Sequence, residues 1–408
     1  MEPVYALETA PAALRSSIFL AGPTPRDEAT PSWRPEALRL LAARGYDGVV
    51  FLPEPRDGRW QRDYDAQVDW EERHLEMADV ILFWLPRELA SMPGLTTNDE
   101  WGTYKRSGKV VFGAPPGAEK VRYQRHYAEK FHAGSADSLE ATVALALERV
   151  GEGAPREGGE REVPLLVWRT EAFQRWYAAQ KAAGNRLDGA KLEWICRAGP
   201  RRSWLFLWAL RPSVHIAAEG RNKRGEVVLG RPDISAVLLH RRAADPWATE
   251  VVLVREFRSA ARNPGAMVLE LPSGSSFQGG EDPLRLAVDE TREETGLALD
   301  GARLTPVASR QLASTLLSHH AQLYEAALTA EEVAWLRARA GEAQGDPASS
   351  ERTYVEVRTL RQLLTCPELD WSTLGMILGV LGPALAGGAP GGVGNAGTDG
   401  ADGESGAR

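Results

Sequence analysis

From Ser17 the chain alternates short, continuous apolar runs with amphipathic stretches. SIFLA runs into a Gly-Pro turn, and runs of the same kind occupy Gly48–Pro53, ADVILFWLP from Ala78 and KVVFGAP from Lys109. Between them, apolar residues return at helical spacing over Ser32–Arg44, about Gln67–Met77, from about Asp99, and over about Asp137–Val150. Strands that are apolar on both faces and alternate with helices predict a parallel sheet covered on both sides. Ligands of such sheets sit beyond the carboxyl ends of the strands. The loops Gly22–Thr24, Pro86–Arg87, Gly94–Glu100 and Gly113–Pro116 are therefore the expected pocket rim.

The second half is patterned differently. GEGAPREGGERE, from Gly151 to Glu162, has no apolar anchor beyond Ala and Pro and reads as a linker over 151–163. A helical pattern through FQRWYAAQKAAG and on into WICRAG predicts a helical connector over 164–200. The runs SWLFLWAL, SVHIAA, GEVVLG, ISAVLLH and EVVLVREF predict several strands of a mixed sheet. A strand-like run at Met267–Leu271 then leads through a Gly-rich turn into a Pro-started helix that stops at Thr295-Gly296. Thr305–Ala327 and YVEVRTL should return to the sheet, with a closing helix over about Ser372–Leu385. From Ala386 the chain is Gly-rich and of low complexity, as disordered tails are. The expected division is 1–150, a linker at 151–163, a connector at 164–200, a second domain at 201–385 and a tail at 386–408.

At 408 residues two domains are expected on size alone, and 43% hydrophobic content is enough for real cores. A net charge of −8 argues against a nucleic-acid partner, whose binders carry a basic face. Cys196 and Cys366 stand far apart without metal-ligand spacing, which fits a reducing compartment. The start lacks the pattern of a signal peptide, and no apolar run reaches membrane-spanning length. A cytoplasmic protein with a small-molecule nucleotide partner, no membrane partner and a homo-oligomeric state is expected.

The Pro-started helix carries Glu290, Glu293 and Glu294, which share one face at helical pitch. Three acids on one face repel unless a cation sits among them, and a hard divalent ion is the natural choice. Mg2+ suits a site that also holds phosphates, with Mn2+ as an alternative. From Glu270 to Leu297 this stretch resembles the Nudix box. Glu281, Glu290, Glu293, Glu294, Gly296 and Leu297 fall on that pattern. Three positions depart from it. The loop between Gly274 and Glu281 is one residue longer, Thr291 replaces an aliphatic residue, and Asp289 stands where the family has the Arg that braces a metal-binding Glu. Arg285 or Arg292 is a candidate replacement for that brace. The resemblance implies an α/β/α sandwich and metal-dependent hydrolysis of a nucleoside diphosphate derivative. VLVREFRSAARNPGAMVLELPSG is most similar to the ADP-sugar branch, which implies phosphate contacts from Arg255, Arg258 and Arg262. It also implies a loop acid ahead of a late strand as base or extra ligand. Glu351 is that candidate, with Glu356 second, and Glu294 is the alternative base.

The first half resembles the nucleoside 2-deoxyribosyltransferase-like superfamily through IFLAGP, WEERHLEMADVILFW, LTTNDEWG and GKVVFGAP, over roughly Ser17–Tyr127. This implies a flavodoxin- or Rossmann-like fold and cleavage of an N-glycosidic bond. The nucleophile would be Glu100, in Glu100-Trp101-Gly102, and Glu71 takes the place of an Asp eight residues before Asp79. Gly22, Pro23 and Asp79 would line the substrate site. Phe19 stands where the family often has Tyr, and Gly94 where it has an additional Asp. Two readings follow: an enzyme with a Mg2+-dependent diphosphatase domain and an N-glycosidase domain, or a sensor that binds nucleotide without turning it over.

Overall fold

The computed structural model describes residues 1–26, 29–58, 63–276, 280–345 and 351–385. Two compact units form, one built mainly from Met1–Pro232 and one from Asp233–Ser276, Glu281–Ala313 and His320 onward. The tail expected from Ala386 lies outside the described residues.

The first unit opens with β1 (Glu2–Tyr5), β2 (Ala13–Leu14) and β3 (Ser17–Ala21), followed by α1 (Arg34–Ala43) and β4 (Val49–Leu52). Then come α2 (Tyr64–Met77), β5 (Val80–Trp84), α3 (Leu95–Tyr104), β6 (Val110–Gly113), α4 (Arg122–Lys130), β7 (Ser135–Ala136) and α5 (Leu139–Val150). Six strands form a parallel sheet in the order β1-β4-β3-β5-β6-β7. Alternate strand residues feed two cores. Phe19, Phe51, Phe83 and Phe112 pack under α2, α3 and α4, while Ile18, Leu20, Val50 and Leu82 pack under α1 and α5. The chain leaves β3 for β4 on one side and returns to β5 on the other, so a switch point lies between β3 and β5.

The expected linker is an ordered clamp. β8 (Arg156–Glu157) pairs with β2, and a capping box between Glu157 and Glu160 starts a short 3-10 helix at Gly158–Glu162. A charge anchors the segment where no apolar residue is available. Arg156 is fully buried and donates to both oxygens of Asp79, at 2.8 and 2.6 Å.

The connector is only half helical. After α6 (Leu165–Trp168) and α7 (Glu171–Ala182), residues expected to continue as helix form the long strand β9 (Arg186–Ala198). It pairs along its length with β10 (Trp204–Ile216), which also carries β11 (Arg221–Lys223) and β12 (Val228–Gly230). Leu187, Trp208 and Leu210 close a small core with Phe173 and Tyr177 of α7. Cross-strand pairing over this length overrides the helical reading of WICRAG.

The second unit comprises β13 (Ile234–Arg241), β14 (Glu250–Phe257), β15 (Met267–Glu270), β16 (Ser273–Gly274), α8 (Pro283–Thr295), β17 (Thr305–Gln311) and β18 (His320–Ala327). It continues through α9 (Ala330–Ala338), β19 (Ala343–Gln344), β20 (Thr353–Thr359), α10 (Leu360–Leu363) and α11 (Trp371–Leu385). Its mixed sheet runs β17-β18-β13-β14-β20-β19, with β15 on β14 and β16 on β13. Val237, Leu239 and Val252 pack with α8 and α9. Ala236, Leu238, Val251 and Leu253 face the other way, toward α10 and α11. The result is a helix–sheet–helix sandwich.

Candidate functional site

In the first unit the loops at the carboxyl ends of β3 and β5 meet. Gly22, just past β3, is pressed against the end of β5, where a Cβ would stand 2.2 Å from the Trp84 carbonyl oxygen. Arg34, at the start of α1, is fully buried and fixes this loop. Its Nε donates to Leu20 O at 3.1 Å, Nη2 to Gly22 O at 2.8 Å and Nη1 to Thr24 Oγ1 at 3.1 Å. Glu54 balances its charge and accepts from Ser32 Oγ at 2.9 Å. Trp33 Nε1 donates to Pro23 O at 3.1 Å. Gly22 and Pro23 therefore lie in the loop at the carboxyl end of β3.

Two acids respond to one another here. Glu71, on α2, accepts from Gln67 Nε2 at 2.6 Å, and burial raises it above the usual carboxylate range. Burial and then the charge of Glu71 push Glu100, on α3, up to about 7, while Arg34 pulls both down. A carboxyl group raised toward neutrality beside a second carboxyl group can exchange a proton near neutral pH, as perturbed acids at functional sites do. Phe19 is fully buried core, packed near Trp70, and offers nothing to a ligand. Gly94 adopts φ +60° as the N-cap of α3, a conformation in which glycine is least strained. Sequence reading missed Arg34 and Glu54, whose only signal was an Arg-Pro helix start next to the Gly-Pro loop.

Asp79 is a correction. It lies before β5, at the amino end of the sheet, away from the rim. It is buried and accepts from Ser17 N at 2.8 Å and Leu165 N at 2.7 Å besides Arg156. That makes it a structural clamp with no oxygen turned to the Glu71–Glu100 site.

In the second unit α8 places its acids at graded depth. Glu294 is buried, its Oε2 accepts from Ser273 N at 2.9 Å, and burial holds it well above the usual range. Glu290 lies against Gly274, where a Cβ would meet Oε1 at 1.8 Å, so a side chain there would displace the Glu290 carboxyl group. Burial lifts Glu290 to about 7, and the charges of Glu293, Glu351, Asp289 and Glu281 add to the effect. Glu293 is exposed. Sequence reading missed Glu256 on β14, also raised to about 7 by burial and by the charges of Glu351 and Glu270. Its signal was its place in the Glu-Phe-Arg element.

The arginines are already engaged. Arg258 Nη2 lies 2.6 Å from Glu270 and 2.9 Å from Glu256, and Arg255 lies 3.7 Å from Glu356. Glu356 is also held by Arg358, whereas the charge of Glu351 reaches Glu290, Glu294 and Glu256. Neither Arg285 nor Arg292 replaces the missing brace, since both lean on Asp289 at the exposed face, at 3.7 and 3.5 Å. Among the described residues no three acids, His or Cys already stand in metal-ligand geometry. The crowding of raised carboxyl groups nevertheless fits a cation, and Mg2+, which keeps several waters, needs only one or two direct carboxylates. Glu290, Glu293 and Glu294 are the residues that would hold it.

No helix among the described residues is long and apolar enough to cross a membrane. No curated protein matches the chain closely enough to be named beside it. Residues 15–118 match the family profile described as nucleoside 2-deoxyribosyltransferase like. The chain thus carries, within its first unit, a nucleoside 2-deoxyribosyltransferase-like domain over residues 15–118.

Proposed function

We propose that the chain processes nucleotides at two sites. The observation that carries this is the pair Glu71 and Glu100 at the switch point of a nucleoside 2-deoxyribosyltransferase-like domain. Glu100, once ionised, attacks the anomeric carbon of a nucleoside or nucleotide as the bond to the base breaks, and Glu71, whose carboxyl group burial raises above its usual range, is the candidate donor of a proton to the departing base. Arg34 holds the Gly22–Thr24 loop in place and favours the ionised form of Glu100.

For the second unit the proposal is hydrolysis of a nucleoside diphosphate derivative of the ADP-ribose kind, giving a nucleoside monophosphate and a phosphorylated remainder. The support is the Nudix-like spacing on α8 together with the crowded acids around it. The chemistry that Mg2+ supplies when bound is polarisation of the phosphoryl group and acidification of a water. With the metal bound, Glu290, Glu293 and Glu294 would present oxygen ligands, and Glu351 or Glu294 would accept a proton as general base. Presence of both sites in one chain suggests consecutive steps on one nucleotide pool.

The second reading, a nucleotide sensor, is favoured by Asp289 in place of the bracing Arg and by Phe19 and Gly94 in the first unit. Release of free base from a panel of nucleosides and nucleoside monophosphates, by wild type and by Glu100→Gln, separates the two. Base release that disappears in the variant supports the enzyme. Ligand-induced thermal stabilisation with no base released supports the sensor at this site.

A further inference from the structure

A different cavity, of about 360 Å³, opens at the amino ends of the first unit's strands, at the other end of the sheet from Glu71 and Glu100. Four arginines line it: Arg149 from the end of α5, Arg169 just past α6, Arg197 from β9, and Arg202. The hydrogen bonds they make go to carbonyl groups. Arg149 donates to Gly108 O at 2.9 Å and His132 O at 3.1 Å, Arg169 to Val150 O at 2.6 Å, and Arg197 to Ser203 O at 3.2 Å. Among the described residues none of the four has a carboxylate within ion-pair distance. The one acid in the lining, Asp79, is committed to Arg156 and to two backbone amides.

Arg149 and Arg197 are half-buried and Arg169 and Arg202 exposed, so the cavity gathers four positive charges with no carboxylate paired to them among the described residues. Burial lowers Arg149, Arg169 and Arg197 from the usual guanidinium range, and the charge of Arg197 lowers Arg149 further. The close approach is built into the backbone. Gly108 has φ +76°, and a Cβ there would meet Ile195 Cδ1 at 2.6 Å and Arg197 Nη2 at 3.3 Å. Glycine suits this left-handed turn and lets Ile195 and Arg197 lie against it.

We propose that this cavity is a second ligand site, which takes the diphosphate group of a small molecule. Guanidinium forks match phosphate oxygens in pairs. One phosphate, at about −2, leaves much of four positive charges unanswered, and a diphosphate answers more. The volume suits a small molecule, and the net charge of −8 disfavours a polyanion such as nucleic acid.

The test is calorimetric titration of inorganic pyrophosphate into the full chain in EDTA, which leaves the acidic site of the second unit without metal. Wild type should bind saturably, and Arg149→Gln/Arg197→Gln should weaken binding by about tenfold or more. Glu293→Gln/Glu294→Gln should bind as wild type does. Should the arginine double variant fail to fold, Arg169→Gln and Arg202→Gln carry the same expectation singly. No saturable binding by wild type, or equal affinity in the folded arginine variants, overturns the proposal.

Discussion

Replacing Glu290 by Gln should make the metal-free protein more stable at neutral pH. Glu290 rises from 4.5 to about 7 on folding, so the native state favours its proton. The contribution of such a raised acid is fully present below the unfolded value and is lost as pH climbs through the folded one. The window is therefore about pH 4.5 to 7, and stability falls as pH rises through it. A shift of this size corresponds to about 3 kcal/mol, reduced to about 2 because the carboxyl group is partly exposed. Gln keeps the shape against Gly274 and removes the charge. Urea denaturation in EDTA, read by proteolysis of the second unit, should show wild type losing about 2 kcal/mol more than the variant across that window. Saturating Mg2+ at pH 8 should restore wild type, by about 2.7 kcal/mol at a hundredfold excess over Kd, and leave the variant less changed. Equal pH slopes for the two proteins would refute the crowding argument.

Other expectations are as direct. Arg156→Met strands the buried Asp79 carboxylate and should cost about 3–5 kcal/mol in urea denaturation, with Asp79→Asn/Arg156→Met costing less than the sum of the two single changes. Gly22→Ala drives a Cβ toward the Trp84 carbonyl and should cost about 1–3 kcal/mol while weakening ligand binding at the rim, measured by thermal shift with and without nucleoside. Base release by the first unit should climb with pH through about 7, where Glu100 ionises, and a flat profile there would remove Glu100 as nucleophile.

The parallel sheet was legible because β3 to β6 are continuous apolar runs, and the acidic face because Glu290, Glu293 and Glu294 repeat at helical pitch. Where charge does the anchoring, the pattern fails. Arg156 reads as one more polar residue in a Gly-rich stretch, and its function appears only with Asp79 opposite it across the fold. The family resemblance offered Asp79 as a site residue, yet strand direction puts it at the end of the sheet away from Glu71 and Glu100. α4, whose sequence is RYQRHYAEK, is too polar to announce itself, and it is seated by Gln124, Ala128 and the partly buried Tyr127 together with the Arg125 hydrogen bond to Ala114 O. WICRAG continues the helical pattern of FQRWYAAQKAAG in the sequence, whereas its pairing with β10 makes it strand. The arginine cavity draws on elements far apart in sequence, beyond the reach of any local motif.

The measurement that bears most directly on the central claim is phosphate-product release from ADP-ribose, NAD+, nucleoside diphosphate sugars and nucleoside triphosphates, with Mg2+ and with EDTA. Wild type should hydrolyse a nucleoside diphosphate derivative only with the metal, and Glu293→Gln/Glu294→Gln should lose that activity. No turnover of any substrate, together with a ligand-induced rise in Tm, would contradict hydrolysis and leave the second unit a binding module.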